Sequence, residues 1–570
     1  MEGVSVTDVR TPAEAVNDLS DRFWDGLVAL SPIMATILGY PEGMDRLDEP
    51  GPAGREKSRK LYESVLAEAD RIEAGLAGPA DLPVEERITL DAMRAICDVE
   101  LQQQRERIDR LKVVDQAEGP QTILPQLAAF QPTQTPEQLD AFLARLADYP
   151  RFMAEAADVV REGLAGGLTA ARIVTERTIG QLDRMLAVTP DQSPIVQAMS
   201  HLSDADRARV AAAVRDFVQP ADAAFRDALT GDYLKASREE PGLWSAPNGE
   251  ELYRTQIRYW TSMDFDPAEL HRIGLEELAS IENERRQISR EAGYGDDTHA
   301  YRKAVEHDPK YVPDSVEALV DHCKGQIARA MAEAPRYFGR LPIAGCEVWP
   351  VESYKEQDAP AAYYYPPAVD GSRPGVYYVN TYDLPSRTYV GIASTSFHEA
   401  VPGHHFQIAL ESEHPTLNAF RRFGARMAGM SYVEGWGLYA ERLADEMGLY
   451  LDSAERFGML DGQAHRAARL VVDTGLHAFR WTRERAIAQL RDAGLSDTDS
   501  VIETDRYIVW PAQALTYKTG QREIERLRRE ISAALGPQFD IKTFHDQILG
   551  HGTLPLATLS KNLPAWMGVA

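Results

Sequence analysis

The stretch HEAVPGHH, residues 398–405, brings three imidazoles and one carboxylate together within eight residues. Imidazole is a common zinc ligand, and a neighbouring carboxylate can accept a proton from an attacking water. The usual zinc-peptidase motif places its two histidines four positions apart, so that both reach one ion from the same helical face. Here Pro402 occupies that fourth position. The segment therefore predicts a metal-binding helix of unusual shape.

A straight helix would not bring these histidines to one ion. His404 would point away from His398, and His405 would share its face but lie about 10.5 Å further along the axis. Pro402 lacks a backbone donor and Gly403 tolerates irregular dihedral angles, so both favour a kink or bulge between the histidines. From the spacing alone, a structural role without metal remains open.

A second polar segment, SYVEGWGLYAE at residues 431–441, follows the first. Glu434 and Glu441 are seven positions apart and therefore project from one helical face, two turns apart. The aromatic and apolar neighbours of Glu434 indicate burial, and a buried carboxylate needs a partner such as a metal ion. Two histidines followed by a glutamate from the next helix is the ligand plan of one class of zinc peptidase. A solvated helix face is the alternative for Glu434.

Four motifs of this chain resemble those of a known family. They are HEAVPGHHFQ (398–407), YVEGWGLYAERL (432–443), RLVVDTGLH (469–477) and RYIVWPAQALTYKTG (506–520). The family is catalogued as domain of unknown function 885 and is bacterial. It is similar in turn to helical zinc peptidases of the gluzincin type, including angiotensin-converting enzyme, thimet oligopeptidase and dipeptidyl peptidase III. The matching motifs span roughly residues 363–520, and the N-terminal half shows only the family's helical character.

The resemblance implies a ligand set and a general base. His398, His404 and Glu434 would hold zinc with one open position. Glu399 would act as the base, and His405 would not be a ligand. Cobalt or manganese could occupy such a site in place of zinc.

The last two motifs supply further candidates by the same resemblance. Tyr517, or Tyr507 in its place, would stabilise the oxyanion, with packing as the alternative for both. Gln513 and Lys518 would hold a carboxylate of the substrate. His477 ends a helical stripe with four-residue spacing, and it would act at the site unless that stripe is an ion-paired structural face.

The last motif also departs from the family. Alanine at position 512 stands where relatives usually have glycine, between Pro511 and Gln513. Alanine restricts the backbone freedom that glycine would allow, so the resemblance does not establish the loop geometry of this chain.

Aromatic and β-branched residues between 347 and 380 predict a small sheet beside the metal-binding helix. The strand-like segments are 347–350, 361–367 and 376–380, with a turn at 370–375. In gluzincins the edge strand of such a sheet binds extended peptide by backbone pairing. We therefore expect 376–380 to be the substrate edge, with Val376, Tyr378 and Arg373 as substrate-binding residues. A hairpin without a ligand role is the alternative.

The composition excludes several function classes. The 570 residues carry a formal net charge of -27, and without clustered Lys and Arg the chain is not expected to bind nucleic acid. Cys97, Cys323 and Cys346 lie far apart and predict neither disulfides nor a thiolate metal site. No apolar run is long enough to cross a membrane, and residues 1–8 lack signal-peptide features. These observations favour a cytoplasmic protein, with an unrecognised export route left open.

Helical periodicity dominates the rest of the chain. Residues 1–240 predict an N-terminal helical lobe, and residues 241–570 predict a catalytic helical region that contains the small sheet. We expect a mainly α fold with two helical lobes around a deep cleft.

The predicted function is that of a zinc metallopeptidase-like hydrolase. Its substrates would be short peptides or peptide-like small molecules with an amide bond, and it would have no nucleic-acid or membrane partner. A zinc hydrolase of a non-peptide amide or ester is one alternative. A non-catalytic binding or regulatory relative is the other.

Overall fold

The computed structural model describes residues 10–78, 81–351, 361–367 and 374–569. It is mainly α-helical with a small three-stranded sheet, which confirms the predicted fold class. The chain divides into two compact units. The first unit comprises Met1–Thr255, Leu476–Arg483 and Ile502–Pro511, and the second comprises Gln256–Gly475, Glu484–Val501 and Ala512–Ala570.

The first unit is built mainly from helices early in the chain. These are α1 (Pro12–Leu30), α2 (Pro32–Ile37), α3 (Pro52–Ala74), α4 (Val84–Glu106), α5 (Asp109–Lys112), α6 (Ile123–Phe130), α7 (Pro136–Gly166), α8 (Arg172–Ala187), α9 (Pro194–Ala198), α10 (Asp204–Ala213), α11 (Gln219–Leu229) and α12 (Asp232–Ala236).

The later helices lie mainly in the second unit. These are α13 (Gly249–Thr261), α14 (Pro267–Glu291), α15 (Thr298–Glu306), α16 (Val316–Glu333), α17 (Tyr389–Glu399), α18 (His404–Ser412), α19 (Met430–Glu446), α20 (Ser453–His477), α21 (Arg483–Ala493), α22 (Asp497–Val509), α23 (Thr516–Leu535), α24 (Ile541–Leu549) and α25 (Leu556–Trp566). Among the described helices, none combines the length and the hydropathy that crossing a membrane requires.

Helix starts in the first unit follow local capping rules, as α7 illustrates. The Gln138 amide donates to Thr135 Oγ1 at 3.3 Å, and the Thr135 amide donates to Gln138 Oε1 at 3.1 Å. Pro136 fills the first helical position, where no amide donor is needed. Phe142 and Leu146, one turn apart, are fully buried and direct this helical face into the core of the unit.

The sheet consists of three short strands with the last strand in the middle. They are β1 (Cys346–Pro350), β2 (Ala362–Tyr365) and β3 (Gly375–Val379), in the order β1-β3-β2. β3 pairs in parallel with β1 and antiparallel with β2. The hydrogen-bonding groups on both sides of β3 are therefore engaged within the sheet.

This order corrects the predicted substrate edge. Because β3 is central, residues 376–380 cannot pair with an extended peptide, and the prediction that they form an edge strand is wrong. Val376 is fully buried, and the Tyr378 ring stacks on Tyr363 with centroids 4.8 Å apart. Both residues serve the sheet itself. Arg373, the third predicted contact, lies outside the described residues.

Helices α19 and α23 cross at two glycines in the second unit. A Cβ at Gly520 would lie 1.7 Å from the carbonyl oxygen of Ser431, and one at Gly435 would lie 2.4 Å from the Gly520 backbone. No side chain fits at such distances, so the two backbones are in direct contact. This contact sets the position of Glu434 on α19 relative to Tyr517 on α23.

Candidate metal centre

The chain leaves the helical conformation between the two candidate histidine ligands. Helix α17 ends at Glu399, one residue after His398, and α18 begins at His404. A Cβ at Gly403 would lie 1.9 Å from the carbonyl oxygen of His398, so only glycine fits this turn. The distortion required by the sequence is therefore a complete break between two helices.

The break brings His398 and His404 to the same carboxylate. Oε2 of Glu434 lies 3.5 Å from Nε2 of His398 and 3.6 Å from Nε2 of His404. Each of the three residues offers a ligand atom, and these atoms lie within 4.8 Å of one another. Tetrahedral zinc, with bonds of about 2.0–2.1 Å, places its ligand atoms about 3.3–3.4 Å apart. The group has nearly the dimensions that zinc requires.

Gly437 makes room for the two imidazoles over α19. It lies three residues after Glu434, on the same helical face. A Cβ at this position would lie 2.8 Å from Nε2 of His398 and 3.0 Å from Cε1 of His404. Any larger residue would displace the rings from the carboxylate.

Glu441 orients the first histidine from the opposite side. The Nδ1–H of His398 donates to Oε1 of Glu441 at 2.9 Å, and Nε2 of Gln463 donates to Oε2 of the same carboxylate at 3.1 Å. Because Nδ1 is engaged with Glu441, Nε2 is the atom of His398 that faces Glu434 and would bind a metal ion. A carboxylate behind a histidine is the usual way of orienting a metal ligand.

The charges of this group favour a cation. Burial alone would lower the pKa of His398, but Glu434 and Glu441 raise it to about 10. Burial alone would raise the pKa of Glu434, but hydrogen bonding to His398 and His404 holds it well below its usual range. Glu434 and Glu441 therefore stabilise positive charge at His398, and a divalent cation between the ligands would supply such a charge.

The structure distinguishes His404 from its neighbour His405. His405 is buried, with Nε2 donating to the Ala344 carbonyl at 3.1 Å and Nδ1 accepting from the Tyr364 hydroxyl at 2.9 Å. Burial lowers the pKa of His405 to about 4. His404 is the residue that faces Glu434, and its buried Nδ1 makes no hydrogen bond to any residue that the structure describes.

Glu399 and Tyr517 border the same group. Glu399 is half-buried at the last position of α17, and its charge contributes to the raised pKa of His398. The Tyr517 ring lies 6.4 Å from the His398 ring, centroid to centroid, at an interplanar angle of 29°. The Arg469 guanidinium also contacts this ring, with Cζ 4.3 Å from the ring centroid.

Tyr507 and His477 belong to the first unit, where their polar atoms are engaged. The Tyr507 hydroxyl donates to Oε2 of Glu503 at 2.6 Å. Nδ1 of His477 accepts from the Leu243 amide at 3.1 Å, and its Nε2 donates to the Tyr507 carbonyl at 2.9 Å. Burial lowers the pKa of His477 to about 3, so the ring is neutral. Their roles at the metal group stay predictions.

Lys518 is buried rather than available to substrate. Its side chain is 1% exposed, and Nζ donates to Oε1 of Gln463 at 2.9 Å and to Oε1 of Gln521 at 2.7 Å. Burial lowers the pKa of Lys518 to about 8. The predicted contact with a substrate carboxylate is therefore replaced by a structural role, because Gln463 links this ammonium to Glu441. Gln513 is also buried, and its substrate role stays a prediction.

Ala512, in the loop before α23, has an unusual backbone conformation. Ala512 has φ +69° and ψ -10°, in the left-handed region that favours glycine. Its amide donates to both carboxylate oxygens of Asp473, at 3.1 and 3.0 Å. Alanine therefore occupies a conformation that glycine would adopt without strain.

Sequence reasoning missed Gln463 and the contact made by Gly437. Gln463 is fully buried beside Ala464 and Ala467 of the core. A glutamine on an apolar helical face needs polar partners, and this was the available signal. Gly437 stands inside a helix, where glycine costs about 1 kcal/mol relative to alanine, so it too signals a close approach.

A family model matches most of the chain, including the four motifs described in the sequence analysis. The model described as "Bacterial protein of unknown function (DUF885)" matches residues 32–563. The chain belongs to this family. Among curated proteins, no sequence matches this DUF885 chain.

Two solved structures are similar to this DUF885 protein. A putative lipoprotein from Colwellia psychrerythraea is 28% identical with a TM-score of 0.89, and the match covers 99% of this chain and 100% of that chain. A putative lipoprotein of unknown function from Shewanella oneidensis is 20% identical with a TM-score of 0.75, covering 96% and 99%. The second likeness shows the fold alone. The likeness to gluzincin peptidases stays a prediction from the motifs.

Proposed function

We propose that this DUF885 protein is a zinc-dependent hydrolase that cleaves amide bonds in short peptides or peptide-like small molecules. The observation that carries the proposal is the convergence of His398, His404 and Glu434 on one point, with Glu441 orienting His398 from behind. Two nitrogen donors and one carboxylate leave a fourth tetrahedral position open, as catalytic zinc sites do.

His398, His404 and Glu434 would hold the ion. When bound, zinc would supply Lewis acidity at the carbonyl and lower the pKa of water at the open position. Glu399 follows His398 directly in the chain, and its charge contributes to the raised pKa of the His398 imidazole. Glu399 would accept the proton of that water and deliver it to the leaving amine.

Tyr517 is the donor that we favour for the oxyanion. Its hydroxyl makes no hydrogen bond within the described part of the chain, whereas the Tyr507 hydroxyl is engaged with Glu503. A donor that gains its acceptor only as negative charge develops stabilises the transition state more than the ground state. The ring's place beside His398 suits that role.

Metal analysis and ligand variants test the proposal together. Protein purified without added metal should contain about one zinc per chain. Alanine at any of His398, His404 or Glu434 should remove most of it. His405→Ala is the matched control, because it deletes the adjacent imidazole, and zinc per folded chain should stay nearly unchanged. Loss of zinc from the control but not from His404→Ala would contradict the ligand set.

Turnover needs its own measurement. The zinc-loaded protein should release amines from a mixed library of dipeptides and short oligopeptides, detected by mass spectrometry. Stoichiometric zinc without hydrolysis of any amide or ester in the library would point to a binding or regulatory protein.

The cellular location also stays a prediction. The relative from Colwellia psychrerythraea is described as a putative lipoprotein, and this weighs against the cytoplasmic location expected from the sequence. Fractionation of the native organism, with detection of this chain in each fraction, separates the two locations.

A further inference from the structure

We propose that Arg466 binds a carboxylate of the substrate, so that the preferred substrates are peptides with a free C-terminal carboxyl group within about two residues of the cleaved bond. The inference rests on the proposed function and names its substrate class. Arg466 would bind the substrate carboxylate in place of Lys518, which is buried.

Arg466 has no counterion among the described residues, in a chain that is rich in carboxylates. It is half-buried on α20, its Nε is buried, and the side chain makes no hydrogen bond or ion pair to any residue that the structure describes. Nearby arginines are paired: Arg442 with Glu284 at 2.9 Å and Arg456 with Asp445 at 2.8 Å. A partly buried cation without a counterion is costly, and a ligand carboxylate would compensate it.

The position of Arg466 suits a group that reaches the metal centre. Its Cζ lies 5.9 Å from the Tyr517 ring centroid, and that ring lies 6.4 Å from the His398 ring. These two steps place the guanidinium at most about 12 Å from His398. A guanidinium and a bound carboxylate take up about 4 Å of that span, and extended chain advances about 3.3–3.6 Å per residue, so at most about two residues fit between them.

Neighbouring charges leave Arg466 as the available cation. Lys518 is buried and donates to two glutamines. Arg469 is 4% exposed and lies closer to the Tyr517 ring than Arg466 does, at 4.3 Å against 5.9 Å. Glu441 feels the charge of Arg466 but forms no ion pair with it, because Gln463 and His398 already donate to that carboxylate. The planar fork of Arg466 can therefore take a carboxylate with two parallel hydrogen bonds.

Three metal-directed ligands test this without requiring turnover. Each is a succinyl hydroxamate, coupled to glycine, to glycinamide, or to the α-amide of aspartic acid. The first carries a terminal carboxylate, the second carries none, and the third carries a side-chain carboxylate only. Binding to the zinc-loaded full chain is measured by calorimetry, for wild type and for Arg466→Met, Arg466→Lys and Arg456→Met.

The glycine ligand should bind wild type about 10- to 100-fold more tightly than the glycinamide ligand, the range of a charge-assisted hydrogen bond. Arg466→Met should abolish this difference with zinc content unchanged, and Arg466→Lys should keep part of it. Arg456→Met, which removes a paired guanidinium from the same helix, should bind as wild type does. Tight binding of the aspartate ligand instead of the glycine ligand would overturn the terminal carboxyl group as the recognised feature.

Equal binding of the glycine and glycinamide ligands to wild type would overturn the inference while the proposed function stands. So would an Arg466→Met variant that loses zinc and binds both ligands more weakly by the same factor, since Arg466 would then act only by supporting Glu441. Failure of all three hydroxamates to bind a zinc-loaded protein would contradict the proposed function itself.

Discussion

Replacing Gly437 with alanine tests the geometry of the metal centre directly. The new Cβ would lie 2.8 Å from Nε2 of His398 and 3.0 Å from Cε1 of His404. Carbon atoms pack at about 3.5–4.0 Å, so the His398 ring would have to retreat by about 0.7 Å. Zinc sites tolerate ligand displacements of only about 0.2 Å, so the variant should lose a productive ligand.

We expect the zinc affinity of Gly437→Ala to fall at least about 100-fold, or about 2.7 kcal/mol, which is the upper end of the range for disturbed ligand support. Folding without zinc should change less, because alanine gains about 1 kcal/mol of helix propensity against about 1–3 kcal/mol of crowding. Competition with a fluorescent chelator measures the affinity, and circular dichroism checks the fold.

Gly180→Ala is the matched control for this variant. Gly180 lies inside α8, and the nearest atom to its added Cβ is 3.6 Å away, an ordinary contact. It should gain helix propensity and bind zinc normally. A folded Gly437→Ala protein that binds zinc within about threefold of wild type would refute the placement of the imidazoles over α19.

Four further variants, one of them with a matched control, test the chemistry and the backbone strain. Glu399→Gln should keep zinc and lose about 10²–10⁴-fold in turnover, as loss of a general base does, and near-normal rates would remove Glu399 from the mechanism. Tyr517→Phe should lower kcat about 10²–10³-fold with little change in KM, and Tyr507→Phe, its matched control, should leave both constants unchanged. Glu441→Gln should weaken zinc binding about 10–100-fold, and unchanged affinity in chelator competition would show that His398 needs no carboxylate behind it. Ala512→Gly should raise the free energy of unfolding by about 1 kcal/mol, because glycine adopts φ +69° without strain, and a lower denaturant midpoint would contradict that conformation.

The sequence motifs were enough to name the candidate metal ligands, but not the residues that hold those ligands in place. The family resemblance grouped His398, His404 and Glu434, whereas helical spacing showed only that Glu434 and Glu441 share a face. The role of Glu441 depends on where α17 passes α19, and Gln463 comes from a helix that spacing alone does not relate to either. Such contacts belong to tertiary packing.

The errors in the sheet and at Lys518 have the same origin. Aromatic and β-branched patterns located the strands, but strand order depends on which segments pair, and β3 lies between two strands that both precede it in the chain. The predicted role of Lys518, binding a substrate carboxylate, requires an accessible ammonium group. Lys518 is buried because Gln463, 55 positions earlier, accepts from it. Likewise, a boundary at residue 240 follows turn-rich composition, whereas the return of Leu476–Arg483 to the first unit depends on contacts far apart in the chain.

The glycine crossing of α19 and α23 constrains how this site could change. At Gly435 and Gly520 the two main chains are in direct contact. The spacing between Glu434 and Tyr517 therefore does not depend on a side chain whose size mutation could change gradually. Any substitution at either glycine would force the two helices apart. Adaptation to new substrates is therefore expected to proceed through residues that border the site, such as Arg466, while the distance from ligand to phenol is inherited unchanged.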